Sequence, residues 1–135
     1  METLSESECW DLLSSCELAR IAFAGAGDVE IFPVNIVVDD RTVVFCTAEG
    51  TKLAASAVFH RVAVEADGVD VDTGLAWSVV IKGDAKVLED FNEIYEAQAL
   101  PLHPWHPGFK QRYVRVKPWE IQGRRFQPVG ASTED

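Results

Sequence analysis

The segment Ala76-Trp77-Ser78-Val79-Val80-Ile81 constrains this chain more than any other. A strand with one wet face alternates apolar and polar residues. Here large apolar side chains run almost without a break, so both faces must be covered, by a core or by a partner. Around it the chain reads as short strand-like runs separated by turn signals. Ala19 to Ala24 and Val29 to Val38 flank Gly25-Ala26-Gly27-Asp28, a stretch suited to positive φ and hence to a hairpin. Asp39-Asp40 makes the next turn, and Thr42 to Cys46 forms a third strand. Val62 to Ala66 gives a fourth, Asp67 to Thr73 an exposed turn, and Tyr113 to Gly123 alternates Val114, Val116 and Ile121 with charge as a sixth. Three helical stretches lie between or before them. Ser5-Glu6-Ser7-Glu8 is a capping box ahead of the stripe Cys9, Leu12, Leu13, Cys16. Leu53, Ala54, Ala57 and Val58 return to helical spacing, and Asp90 starts a helix running through Ile94 and Ala97 until Pro101, Pro104 and Pro107 stop it. Six strands in hairpin order, with no strand-helix-strand rhythm, predict a small antiparallel barrel with peripheral helices rather than a doubly wound sheet.

Length and charge narrow the function classes. With 135 residues, 47% of them hydrophobic, the chain reads as a single domain over 1–135 with an ordered core from about 4 to 126 and a frayed tail. No apolar run approaches the roughly 20 residues of a membrane span. A formal charge of −10, with scattered Lys and Arg, argues against nucleic acid. Glu2, Glu6 and Glu8 near the start lack the basic flank of a secretory signal, and Cys9, Cys16 and Cys46 show no C-x-x-C spacing, so a cytoplasmic protein with reduced thiols is expected. His103 and His106 flank Trp105 in the proline-bounded segment, but no carboxylate or cysteine nearby completes a metal or haem ligand set.

Chemistry concentrates in Phe45-Cys46-Thr47-Ala48-Glu49-Gly50-Thr51-Lys52-Leu53, a strand passing through a glycine turn into a helix. Free amides and the positive end of a helix dipole favour an anion there. Thr47 and Thr51 add hydroxyl donors, Lys52 adds charge, and Gly50 allows close approach. The same junction also reads as a capped helix with a solvated lysine. The spacing is not that of a nucleotide-hydrolysing loop.

These residues carry a wider resemblance. Ile31-Phe32-Pro33-Val34-Asn35, the Phe45 to Leu53 stretch, Trp77-Ser78-Val79 with Gly83, and Arg115-Val116-Lys117-Pro118 with Gly123-Arg124-Arg125-Phe126 follow one another as in the pyridoxamine 5'-phosphate oxidase-like split-barrel flavoproteins, which the chain resembles from Leu4 to Phe126. The resemblance implies a mainly β, six-stranded antiparallel split barrel. It also implies a homodimer with flavin mononucleotide (FMN) in clefts between the subunits, and an oxidoreductase passing hydride through the flavin to a small acceptor. Thr47, Thr51 and Lys52 would hold the phosphate, with Phe45 and Leu53 beside them. Pro33, Val34 and Asn35 would run beneath the ring, while Trp77, Ser78 and Val79 would reach it from the other subunit and Arg124 or Arg125 would lie near the cleft. Relatives often place an arginine where this chain has Cys46, and the histidine-bearing strand end that reads a vitamin B6 phosphate is not evident after Arg115. The family also includes users of a deazaflavin cofactor and haem binders, so a non-catalytic module that binds flavin, deazaflavin or haem is the alternative.

Overall fold

The computed structural model describes residues 1–25, 27–48, 61–102 and 111–128. The elements are β1 (Glu2–Thr3), α1 (Glu6–Ser14), β2 (Leu18–Gly25), β3 (Asp28–Asp39), β4 (Thr42–Ala48), β5 (Arg61–Val69), β6 (Ala76–Val87), α2 (Phe91–Gln98) and β7 (Gln111–Phe126). The helix expected around Leu53 to Val58, the segment holding His103, Trp105 and His106, and the end of the tail lie outside the described residues.

All pairings are antiparallel. Their order is β1-β7-β4-β3-β2-β5-β6, and β6 also pairs with β7, so six strands close a ring among the described residues. This is the split-barrel architecture. The short β1 hangs on the outside, Glu2 and Thr3 opposite Arg125 and Arg124. The ring closes because β7, last in the chain, inserts between β4 and β6 and serves both.

Alternation sorts the side chains. Ala19, Ile21 and Phe23 of β2 point inward with Val34 and Ile36 of β3, Val43 and Phe45 of β4, Val62, Val64 and Ala66 of β5, Val79 and Ile81 of β6 and Val114 and Val116 of β7. Helix α1 plugs this interior. Ser5 caps it through the expected capping box, with Glu8 N donating to Ser5 Oγ at 3.1 Å and Ser5 N to Glu8 Oε1 at 3.1 Å. Its Cys9, Trp10 and Leu13 are buried, and Gly123 of β7 leaves the space that Cys9 and Leu4 fill. Asp90 caps α2 by accepting from Asn92 N at 2.7 Å. Among the described residues no helix is long and apolar enough to cross a membrane.

Three differences from the sequence reading have physical causes. Strand β5 runs on through Asp67-Gly68-Val69, where a turn was expected. Gly68 lies under the Trp77 indole, and a Cβ there would come within 3.0 Å of the ring, so this glycine makes room for an aromatic side chain instead of bending the chain. Strand β6 extends to Val87 and β7 spans Gln111–Phe126, straight through Pro118. Pro118 is tolerated because the β6–β7 register shifts between Lys82 and Gly83, and a bulge is where a ladder can spare an N–H.

The β3–β4 hairpin uses a two-residue turn with φ +50° at Asp40 and +54° at Arg41, between paired Asp39 and Thr42. Positive φ at both central positions suits Asn-Gly far better than Asp-Arg. The double substitution Asp40→Asn, Arg41→Gly is expected to stabilise the protein by about 1 kcal/mol, seen as a rise of a few degrees in thermal melting. The exposed Arg41–Glu6 ion pair that it removes, 2.7 Å long, offsets little of this.

Candidate functional site

The sequence-nominated residues fall into three places. At the end of β4, Phe45 is 1% exposed inside the ring, and Thr47 is the one buried polar side chain among the described residues, 4% exposed. Alternation sends Cys46 to the other face, where its thiol donates to Gln111 Oε1 at 3.2 Å. Burial pushes this thiol up to about 11, so it is neutral at physiological pH. Thr51, Lys52 and Leu53 lie outside the described residues. Across the β4–β7 ladder, Cys46, Thr47 and Ala48 stand opposite Tyr113, Arg112 and Gln111. These three β7 residues also line a pocket of about 260 Å³ with Leu88, Glu89 and Ile94, between β7 and α2. Sequence reasoning missed Arg112 and Gln111 because their neighbours on β4 are some 65 positions away.

The second place is the outer surface of β3. Val34 is buried in the core at 2%, whereas Pro33 is exposed and Asn35 half-buried on the outside. One row of cross-strand partners runs Pro33, Arg20, Glu65, Val80 over β3, β2, β5 and β6. Leu18, Val29 and Ile31 on the same strands are exposed. The six-residue run that opened the sequence reading is therefore covered by core on the Val79 and Ile81 side, while Ser78 and Val80 stay half-buried on the other.

The third place is the β6–β7 seam. Ser78 is opposite Arg124, Trp77 opposite Arg125 and Val79 opposite Gly123. Val79 is core, and Trp77 packs on the core over Gly68. Arg125 is engaged by Glu2 at 3.4 Å and Glu8 at 3.9 Å, holding β1 and α1 to the barrel, whereas Arg124 is exposed. From Arg112 to Arg124 is on the order of 40 Å of extended strand. Thr47 and Ser78 thus sit towards opposite ends of β7, and one protomer does not bring them around a single ligand.

Charge on the outer face is unusual. Arg20 Nη1 reaches Glu65 Oε1 at 3.0 Å and Asp67 Oδ2 at 3.2 Å. Burial, with the hydrogen bond and charge of Asp67 added, outweighs Arg20 and raises Glu65 from its ordinary value near 4.5 to about 7. The folded protein therefore binds a proton that the unfolded chain releases. The stability this gives is fully present below pH 4.5 and is lost as pH rises through 7. Glu65→Gln is expected to be more stable than the parent at pH 8 by about 1 kcal/mol, after discounting for solvent screening, and equal to it at pH 5. Urea unfolding at the two pH values checks this.

Comparison with known proteins gives a consistent answer. A family profile described as pyridoxamine 5'-phosphate oxidase matches residues 5–125. The structure of an FAD binding protein from Mycobacterium smegmatis is 44% identical in sequence, covers 95% of this chain and 100% of its own, and superposes with a TM-score of 0.82. An uncharacterized protein of Mycobacterium tuberculosis is 45% identical over 91 residues, 67% of this chain and 81% of its own. An FAD and heme binding protein from Mycobacterium smegmatis shares the fold at 15% identity, with a TM-score of 0.76 over 99% of this chain and 78% of its own.

Proposed function

The chain belongs to the pyridoxamine 5'-phosphate oxidase-like family, and from that premise we propose that it binds a phosphorylated flavin, FMN or FAD, between two copies of itself and acts as an oxidoreductase on a small molecule. The whole chain is read as one flavin-binding domain, in the cytoplasm, with Cys9, Cys16 and Cys46 as free thiols. FAD enters because a relative 44% identical over nearly the whole chain binds it. The observation that carries the reading is the division of the site. An anion-suited strand end at Thr47 and an outward Ser78–Arg124 pair lie far apart on β7, and a second copy is what can bring one of each together. The exposed apolar residues Leu18, Val29 and Ile31 support a copy-to-copy contact beside Pro33 and Asn35.

In this arrangement Thr47, Thr51 and Lys52 bind the phosphate. The main chain at Pro33 to Asn35 supports the ring, since Val34 itself points into the core. Phe45 and Val79 are core side chains that shape the cleft from behind, Leu53 is assigned to the phosphate end by its place beside Lys52 in the sequence, and Trp77 closes the barrel end over Gly68. Arg124 and Ser78 of the second copy face the ring, where a cation favours the reduced, anionic form. The flavin, when bound, supplies the hydride chemistry; no side chain need act as acid or base.

Lys52→Ala should weaken FMN binding tenfold or more, about 1.5 to 3 kcal/mol, because it removes a charge-assisted hydrogen bond. Unchanged affinity by fluorescence titration would overturn the phosphate assignment. Reductant consumption with a quinone acceptor, compared with free flavin at equal concentration, tests the enzymatic part. A rate no greater than that of free flavin would reduce the reading to flavin carriage.

A further inference from the structure

We infer that two copies of this chain pair most tightly while Glu65 and Asp67 share a proton on the outer face of β2, β3, β5 and β6, so that mildly acid solution favours pairing and alkaline solution loosens it. The need for two copies rests on the flavin reading above; the proton that governs their meeting is a property of this face.

Val64 and Ala66 point into the barrel, which sends Glu65 and Asp67 outward on the same side of β5. Both reach one nitrogen, Arg20 Nη1, which donates to Glu65 Oε1 at 3.0 Å and to Asp67 Oδ2 at 3.2 Å. The two carboxyl groups are also hydrogen-bonded to each other. Ionised carboxylates only accept, so that bond requires one of the pair to hold a proton. With the proton the trio is neutral; without it, one negative charge is left over. Nothing else on the neighbouring strands cancels that charge. Val80 stands opposite Glu65 on β6, Ser78 opposite Asp67, and Pro33 of β3 lies beyond Arg20. Lys82, further along β6, is drawn to Glu120 at 3.9 Å. The Cys16 thiol feels both carboxylates, and burial first, then their charge, keeps it neutral.

The rest of this face suits a second copy. Leu18, Val29 and Ile31 are exposed on it, and the small Ala22 and Ala63 pair beside Ile31. A chain with a formal charge of −10 repels its own kind, yet here it offers a sheet face whose charges balance once the proton is in place. Pro33, Asn35 and Ser78 lie on the same face, so a copy seated there meets both parts of the divided site.

The sign follows from solvation. Burial, aided by Asp67, already raises Glu65 to about 7 in the single copy. A second copy removes more water from this carboxyl and brings an equal trio towards it, and both effects favour the protonated form. The paired copies therefore hold protons more tightly than the separated chains, and by linkage the association weakens as pH rises through 7.

The test is sedimentation velocity of the full chain, without added flavin, at pH 6 and pH 8, on the parent, Glu65→Gln and Asp67→Asn. The dimer dissociation constant of the parent is expected to rise about tenfold or more between the two, while Glu65→Gln, fixed in the uncharged form, pairs equally well at both. Asp67→Asn leaves Arg20 to Glu65 alone, which keeps that carboxylate ionised, and should show a smaller change than the parent. A parent that pairs equally at pH 6 and pH 8 would overturn the inference and leave the flavin reading standing. So would a loss that Glu65→Gln shares, which places the titrating group elsewhere, or tighter pairing at pH 8, which means that the other copy brings Glu65 a cation. A parent that stays monomeric at both pH values overturns the inference together with the two-copy site; retention of FMN by that monomer after desalting would keep flavin binding itself.

Discussion

Gly83→Ala is expected to cost the fold about 3 kcal/mol or more, enough to unfold a sizeable fraction of a marginally stable domain. A Cβ at this position would run into the carbonyl oxygen of Lys117 and lie 2.8 Å from Pro118 Cα. Both obstacles are backbone, so no side chain can swing aside. Relief requires β6 and β7 to separate at their register shift, in the longest ladder of the ring and the one that closes it. Gly27→Ala provides the contrast. Its φ of +79° is unfavourable for alanine, but nothing lies within 4 Å of the new Cβ, and about 1 kcal/mol is expected. Urea unfolding of the two variants separates the cases; a cost below 1 kcal/mol at Gly83 would mean that the seam yields.

Phe45→Ala is the other large effect, a loss of about 3 to 5 kcal/mol. Phe45 is 1% exposed and is the largest fully buried side chain among the described residues, in the barrel core with Val34, Ile36, Val114 and Val116. The deleted ring leaves a cavity that the surrounding strands, paired on both edges, can only partly collapse. The same variant separates two roles for a residue that sequence resemblance places at the cofactor. If Phe45 acts only as core, flavin affinity measured well below the melting temperature stays close to that of the parent while stability drops. A small stability change with lost flavin affinity would put its ring at the ligand instead.

What could be read from the sequence was what local chemistry determines. The capping box at Ser5 and Glu8, the Asp90 cap and the hairpin turn at Gly27 stand where short-range rules put them, while the β3–β4 turn falls on Asp40-Arg41, one residue past the expected Asp39-Asp40. The inward positions Val114 and Val116 of the last strand followed from alternation. The errors came from residues whose meaning depends on a distant partner. Asp67-Gly68 resembles a turn until Trp77 is seen lying on Gly68. The site divides in the same way. Thr47 announced itself through its own neighbours, the strand end and the Gly-Thr-Lys that follow. Arg112 did not, because only the insertion of β7 between β4 and β6 brings it to Thr47.

The central claim is that this barrel holds a flavin. The most direct measurement is an absorbance spectrum of the purified protein before and after incubation with FMN or FAD and desalting. Oxidised-flavin bands that survive desalting are the predicted result. A protein that is colourless as purified and releases all added FMN and FAD would contradict the account.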